Sequence, residues 1–96
     1  MTKGYWIAHV TVLDAERYAS YQTLARTALE SFGATFVVRG GQSVQLEGPK
    51  DHQRHVIMAF KSYDQALECY HSPAYQKAKA AREGAAEVEI TIMEGV

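Results

Sequence analysis

The chain is poor in the residues that staple, break or strongly charge a small protein. Its single cysteine, Cys69, excludes an internal disulfide and any CxxC motif, which suits a reducing cytoplasm. Ten basic residues against eleven acidic ones leave a net charge of −1. With so little basic excess, a general nucleic-acid binder is not expected, because phosphate neutralisation needs clustered Lys and Arg. No apolar run approaches the ~18 residues of a membrane span, and nothing reads as a signal peptide. The chain is therefore expected to be cytoplasmic, without membrane contact. Glycine-rich phosphate loops, GxSxG elbows and dinucleotide fingerprints are also missing, so no nucleotide cofactor is expected.

What is present is an ordinary globular composition: 96 residues, 47% hydrophobic and 22% charged. That length predicts one domain over residues 1–96. A domain of this size buries only about 60–65% of its unfolded-chain surface and is marginal alone.

Hydrophobic periodicity orders the chain as strand, helix, strand, strand, helix, strand. Gly4 to Val12 alternates, with Trp6, Ala8, Val10 and Val12 opposite Tyr5, Ile7, His9 and Thr11. Asp14 is an N-cap residue, and Tyr18, Tyr21, Ala25, Ala28, Leu29 and Phe32 form the stripe of a helix that Gly33 ends. A second strand begins at Thr35, is interrupted by Gly40-Gly41 and resumes over Ser43 to Glu47; a glycine pair of this kind predicts a bulge or a close backbone approach. Arg54 to Lys61 is the third strand. Ser62 with Gln65 makes a capping-box pattern, and Ser72-Pro73 restarts the second helix. Glu87 to Glu94 is the last strand.

This order predicts an α+β, ferredoxin-like βαββαβ fold: a four-stranded antiparallel sheet with both helices on one face. Residue parity assigns the covered face to Trp6, Ala8, Val10, Phe36, Val38, Val56, Met58, Phe60, Val88, Ile90 and Ile92. The open face then holds Tyr5, Ile7, Val37, Ile57 and Met93, mixed with His9, Arg39, His55 and Glu89. That face is too apolar for water. A second copy pressed against it would form a barrel-like homodimer burying on the order of 2,000 Å².

Several segments together carry a family resemblance: the opening Lys3-Gly4-Tyr5-Trp6-Ile7-Ala8-His9-Val10, the Arg39-Gly40-Gly41 turn, and Glu47-Gly48 ahead of Arg54-His55-Val56. Cys69-Tyr70-His71-Ser72-Pro73-Ala74-Tyr75-Gln76 and the closing Ile92-Met93-Glu94-Gly95-Val96 complete the set. Over essentially its whole length the chain resembles the family numbered 1330 among the domains of unknown function (DUF1330), within the dimeric α/β-barrel superfamily. The resemblance implies a fold, a two-fold dimer and a bacterial-type cytoplasmic setting. It implies no reaction, since fold does not fix function.

The candidate chemistry is sparse, and each residue has a structural reading beside the functional one. His9, on the open face, is a candidate general acid or base, or a hydrogen-bonded histidine at the dimer seam. Arg39 and Glu47 flank the glycines. Arg39 can grip a carboxylate or enolate, with Gly40 and Gly41 letting the ligand approach, or Arg39 and Glu47 can form a structural pair. Tyr75, with Tyr18 and Tyr21, is a candidate to line a helix–sheet cleft, or a core residue at helical spacing. Arg82 is expected to reach solvent or an acidic neighbour. His52 and His55 have HxxH spacing without a completing set, so no metal is expected, and Cys69 lacks the cationic surroundings of a nucleophile.

Two functions remain. The first is a protein that binds or transforms a small metabolite, anionic if Arg39 orients it, without metal or nucleotide. The second is a non-catalytic dimerisation or regulatory module with no ligand. An RNA-recognition domain shares the element order, but Arg54-His55-Val56-Ile57-Met58-Ala59-Phe60 lacks the glycine-aromatic signature.

Overall fold

A computed structural model describes residues 2–96. Seven elements follow in order: β1 (Gly4–Val12), α1 (Ala15–Ser31), β2 (Thr35–Arg39), β3 (Arg54–Phe60), α2 (Tyr63–His71), α3 (Pro73–Ala81) and β4 (Ala86–Glu94). The sheet order is β2-β3-β1-β4, and each neighbouring pair is antiparallel. This is the ferredoxin-like α+β fold, with its second helix divided at Ser72. None of the helices is long and apolar enough to cross a membrane, among the described residues.

Local chemistry sets the helix ends. The Asp14 carboxylate accepts from the Arg17 amide at 3.1 Å, and Gly33, at φ 71°, takes the left-handed turn after α1. Ser62 accepts from the Gln65 amide at 3.1 Å and so caps α2. The return half of that capping box is replaced, because the Gln65 side chain donates instead to the Phe32 carbonyl at 2.6 Å and ties α2 to the end of α1. Ser72 caps α3 through the Tyr75 amide at 3.2 Å, with Pro73 in the first turn, where its missing N–H costs nothing.

One face of the sheet packs on all three helices. Trp6, Ala8 and Val10 of β1 and Val56, Met58 and Phe60 of β3 join Tyr18, Ala25 and Leu29 of α1, Ala66 and Cys69 of α2, and Tyr75 and Ala78 of α3 in one buried cluster. Trp6 is fully buried, and its indole N–H donates to the Ala66 carbonyl at 2.9 Å. On the opposite face Tyr5, Ile7, His9 and Ile57 are half-buried, and Val37 and Met93 are exposed.

Two expectations about the second strand are corrected. Residues 43–47 form no strand: the chain from 40 to 53 is irregular, and Val44 and Leu46 stand 78% and 85% exposed. Alternation makes a strand only where backbone groups find a partner, and β2 is already at the sheet edge, with β3 not starting until Arg54. The second correction concerns facing. A bulge between Phe36 and Val38 shifts the register, so Phe36 pairs with Met58, Val38 with Ile57 and Arg39 with Val56. The extra residue reverses parity beyond it. Val38 therefore joins the open face, and Arg39 turns to the helix-covered one.

Candidate functional site

Between α1 and the sheet lies a cleft of about 600 Å³, counted out to solvent at its mouth. Its floor is apolar, built from β1, β3 and β4 by residues such as Trp6, Val10, Met58, Val88 and Ile90. Its roof is α1, where Tyr18, Tyr21, Ala25 and Leu29 recur at helical spacing. Gln22 and three arginines (Arg26, Arg39 and Arg54) also line it, with no carboxylate in the lining. Among the described residues, ion pairs form only between Lys50 and Glu87 and between His52 and Glu89, so none of the three guanidiniums is neutralised.

Each arginine is positioned differently. The bulge brings Arg39 to the cleft, and its guanidinium lies 4.2 Å above the centre of the Phe36 ring. Arg54 opens β3 on the same face as Val56 and Met58, and its buried Nε has no hydrogen-bond partner. A methyl group on Gly40 would lie 2.3 Å from Arg54 Nη1, so the glycine makes room for this guanidinium. Arg26 comes from α1, beside Ala25.

The cleft phenols are poor acids. Burial pushes the Tyr18 hydroxyl up, and the positive charges of Arg54 and Arg82 only partly oppose it. Burial, reinforced by Tyr75, pushes Tyr21 up much further. The two hydroxyls of Tyr21 and Tyr75 are 2.8 Å apart, and Arg82 lies 5.1 Å from the centre of the Tyr21 ring. Burial works against the Arg82 charge, but the phenols of Tyr75 and Tyr21 outweigh it and hold the guanidinium protonated.

Of the candidate residues singled out in the sequence, Arg39, Tyr18 and Tyr21 line this cleft. Tyr75 is fully buried behind it, packed edge-on against Trp6 at 4.9 Å, because the restart at Ser72 turns that face of α3 into the core. Arg82 is half-buried and pairs with no acid among the described residues; it lies against the Tyr21–Tyr75 pair. Glu47 lies in the exposed loop, beside a separate shallow depression shared with Gln45 and Asp51, and does not pair with Arg39. Gly40 lies against the Arg54 guanidinium, and Gly41 has no neighbour within 4 Å of a would-be side chain.

His9 faces the other way. Its Nδ1 is 2.7 Å from Nδ1 of His55, its cross-strand partner, with one nitrogen donating and the other accepting. His52, which is buried, bonds Thr11 at 2.9 Å through Nδ1 and meets the Glu89 carboxylate through Nε2. That hydrogen bond holds the Glu89 carboxyl below the usual range. The sheet thus separates the histidine cluster from the arginine-lined cleft, and His9 cannot serve a molecule held by Arg39. Cys69 is also withdrawn from chemistry, as burial pushes its thiol up to about 12.

The sequence reading missed Arg54 and Arg26. A signal existed for Arg54: its parity places a cation on the covered side of β3, where burial demands a reason. Arg26 carried none, since a charged residue beside a helical stripe is normally solvated.

A family model matches residues 3–96. The chain belongs to the DUF1330 family, a domain of unknown function. Comparison with curated proteins finds no match. Among solved structures, this DUF1330 chain is similar to a protein of unknown function from Rhodopseudomonas palustris, at 20% identity and TM-score 0.79 over 99% of this chain and 83% of that one. It is also similar to a dimeric ferredoxin-like protein of unknown function from Jannaschia sp. CCS1, at 12% identity and TM-score 0.68 over 95% and 97%. A third similarity is to SnoaB, a cofactor-independent oxygenase from Streptomyces nogalater, at 15% identity and TM-score 0.65 over 97% and 92%. At these identities the likeness is one of fold, and the chemistry of the DUF1330 chain rests on its own residues.

Proposed function

We propose that this chain is a cytoplasmic homodimer that binds a small anionic metabolite in the helix–sheet cleft, with no metal or nucleotide cofactor. The observation that carries the reading is the cleft itself: an apolar interior whose lining includes three arginines and no acid. Arg26 and Arg39 are exposed and Arg54 is half-buried with an unpartnered Nε, and the planar forks of all three match carboxylates. The absence of a readily titrating group in the lining favours binding over proton-transfer chemistry at neutral pH.

Dimerisation through the open face is supported by its half-buried Tyr5, Ile7 and Ile57 beside exposed Val37 and Met93, and by a structural neighbour described as dimeric. Ile7→Glu should sediment as a monomer at micromolar concentration where the native chain sediments as a dimer. A second reading, a non-catalytic dimerisation or regulatory module, is favoured by the position of the histidine cluster on the pairing face and not in the cleft.

The deciding experiment is thermal stabilisation against a metabolite library. A ligand should raise the melting temperature of the native chain, and Arg39→Ala should abolish that shift with the dimer intact. If Arg39→Ala instead dissociates the dimer, Arg39 is structural and the ligand reading fails.

A further inference from the structure

The chemistry of the cleft narrows the ligand class. The geometry points to an amphipathic organic acid, with one carboxylate held between Arg39 and Arg54 at the mouth and a single apolar arm reaching over Val88 and Ile90. This inference rests on the reading of the cleft as a ligand site. It adds the polarity, orientation and charge of what binds there.

Few polar groups deep in the cleft remain available to a ligand. In the interior, the Trp6 indole N–H is engaged by the Ala66 carbonyl and the Tyr21 hydroxyl by Tyr75. Neither offers a free deep partner to a sugar, a base or a second acid group, whose polar atoms would be buried unsatisfied. The open donors are on the arginines, on Gln22 and on Tyr18, whose hydroxyl lies beside Arg54. Arg54 has an unpartnered buried Nε and packs on Gly40, while Arg39 is braced across Phe36. The two sit on neighbouring strands, with Arg39 opposite Val56, two residues along β3 from Arg54. Two cations and an apolar floor accommodate one anionic head on a greasy body. A compact dianion such as succinate has nothing to place against Val88 and Ile90, and a neutral chain leaves the buried Arg54 Nε without an anionic partner.

Trp6 supplies the readout, since it is the chain's single tryptophan and lines the cleft. Octanoate and hydrocinnamate are titrated against the dimeric protein while Trp6 fluorescence is followed, beside their neutral amides, succinate and inorganic phosphate. The acids should change the emission saturably and bind about tenfold or more tightly than their amides, the range expected for charge-assisted hydrogen bonds. Arg39→Gln, an exposed position that should not affect folding, should erase the preference for acid over amide and leave the amide affinity unchanged. Amides that bind as tightly as the acids, or succinate or phosphate binding as tightly as octanoate, would overturn the proposed class while leaving the cleft a ligand site. Should no probe, charged or neutral, either move the emission of the fully buried Trp6 or raise the melting temperature, the class and the cleft reading fall together.

Discussion

Alanine at Gly40 and alanine at Gly41 should have opposite consequences, although the two glycines are adjacent. Gly40 has φ 68°, and its backbone N–H donates to the His55 carbonyl at 3.0 Å, so its conformation is pinned to β3. An L-residue in that left-handed conformation costs about 1–2 kcal/mol. The added methyl would also lie 2.3 Å from Arg54 Nη1, forcing the guanidinium aside. That second effect is cheap in stability, because the tip of a long side chain can swing, but it removes one side of the proposed carboxylate grip. Gly41 has neither a positive φ nor a neighbour within 4 Å of an added Cβ. Alanine there mainly restricts the unfolded chain and stabilises by about 0.4–1 kcal/mol. In a domain of this length each kcal/mol moves the melting temperature by about 4–8 °C, so Gly40→Ala should melt about 4–16 °C below the native chain. Gly41→Ala should melt at or slightly above it. Melting is followed by circular dichroism at one fixed protein concentration, because dimerisation makes the midpoint concentration-dependent. Octanoate affinity, measured through Trp6, should fall only in Gly40→Ala. Two variants that melt together, or a Gly40→Ala chain with unchanged affinity, would refute the link between the turn and Arg54.

Three further outcomes follow from single contacts. Gly4→Ala would place a methyl 2.5–2.7 Å from the backbone of Ser62 and Tyr63, which cannot swing aside, so a loss of about 1–3 kcal/mol is expected in urea unfolding; a native midpoint would refute the close packing of β1 on the start of α2. Glu89 is held below its usual carboxyl range by His52, so its contribution is present above the unfolded value near ~4.3 and is lost as the pH falls. Glu89→Gln should therefore be less stable than the native chain at neutral pH, with the gap closing towards about pH 3; a constant gap counts against the pair. Burial raises the Tyr21 phenol, so as the pH rises past about 10 the unfolded chain sheds its proton first and stability declines. Tyr21→Phe should flatten that alkaline decline in urea midpoints, and an unchanged slope would mean that other groups cause it.

Much of the fold was legible because its signals are local. Asp14, Gly33, Ser62 and Ser72-Pro73 punctuate the helices through groups within a few residues of one another, and the structure has each in that role. Alternation in β1 separated Trp6, Ala8 and Val10 from Tyr5, Ile7 and His9 correctly, since both neighbours of that strand pair without a shift. The site was much less legible. Arg39 stood out by its chemistry as a candidate, but its parity assigned it to the wrong face. Tyr75 looked available only because its burial against Trp6 depends on how α3 lies over β1.

The amino-acid order by itself settled the succession of strands and helices, the helix caps and the apolar side of each regular strand, because these depend on bond geometry and side-chain spacing within a single segment. The three-dimensional arrangement alone decided which groups meet. The bulge beside Val37 exists only in the register of β2 against β3, and it carries Arg39 across the sheet to Arg54 and away from His9. Hydrogen-bond register between distant segments is set by the packing of the whole domain, so no local pattern of residues could have placed those arginines in one cleft.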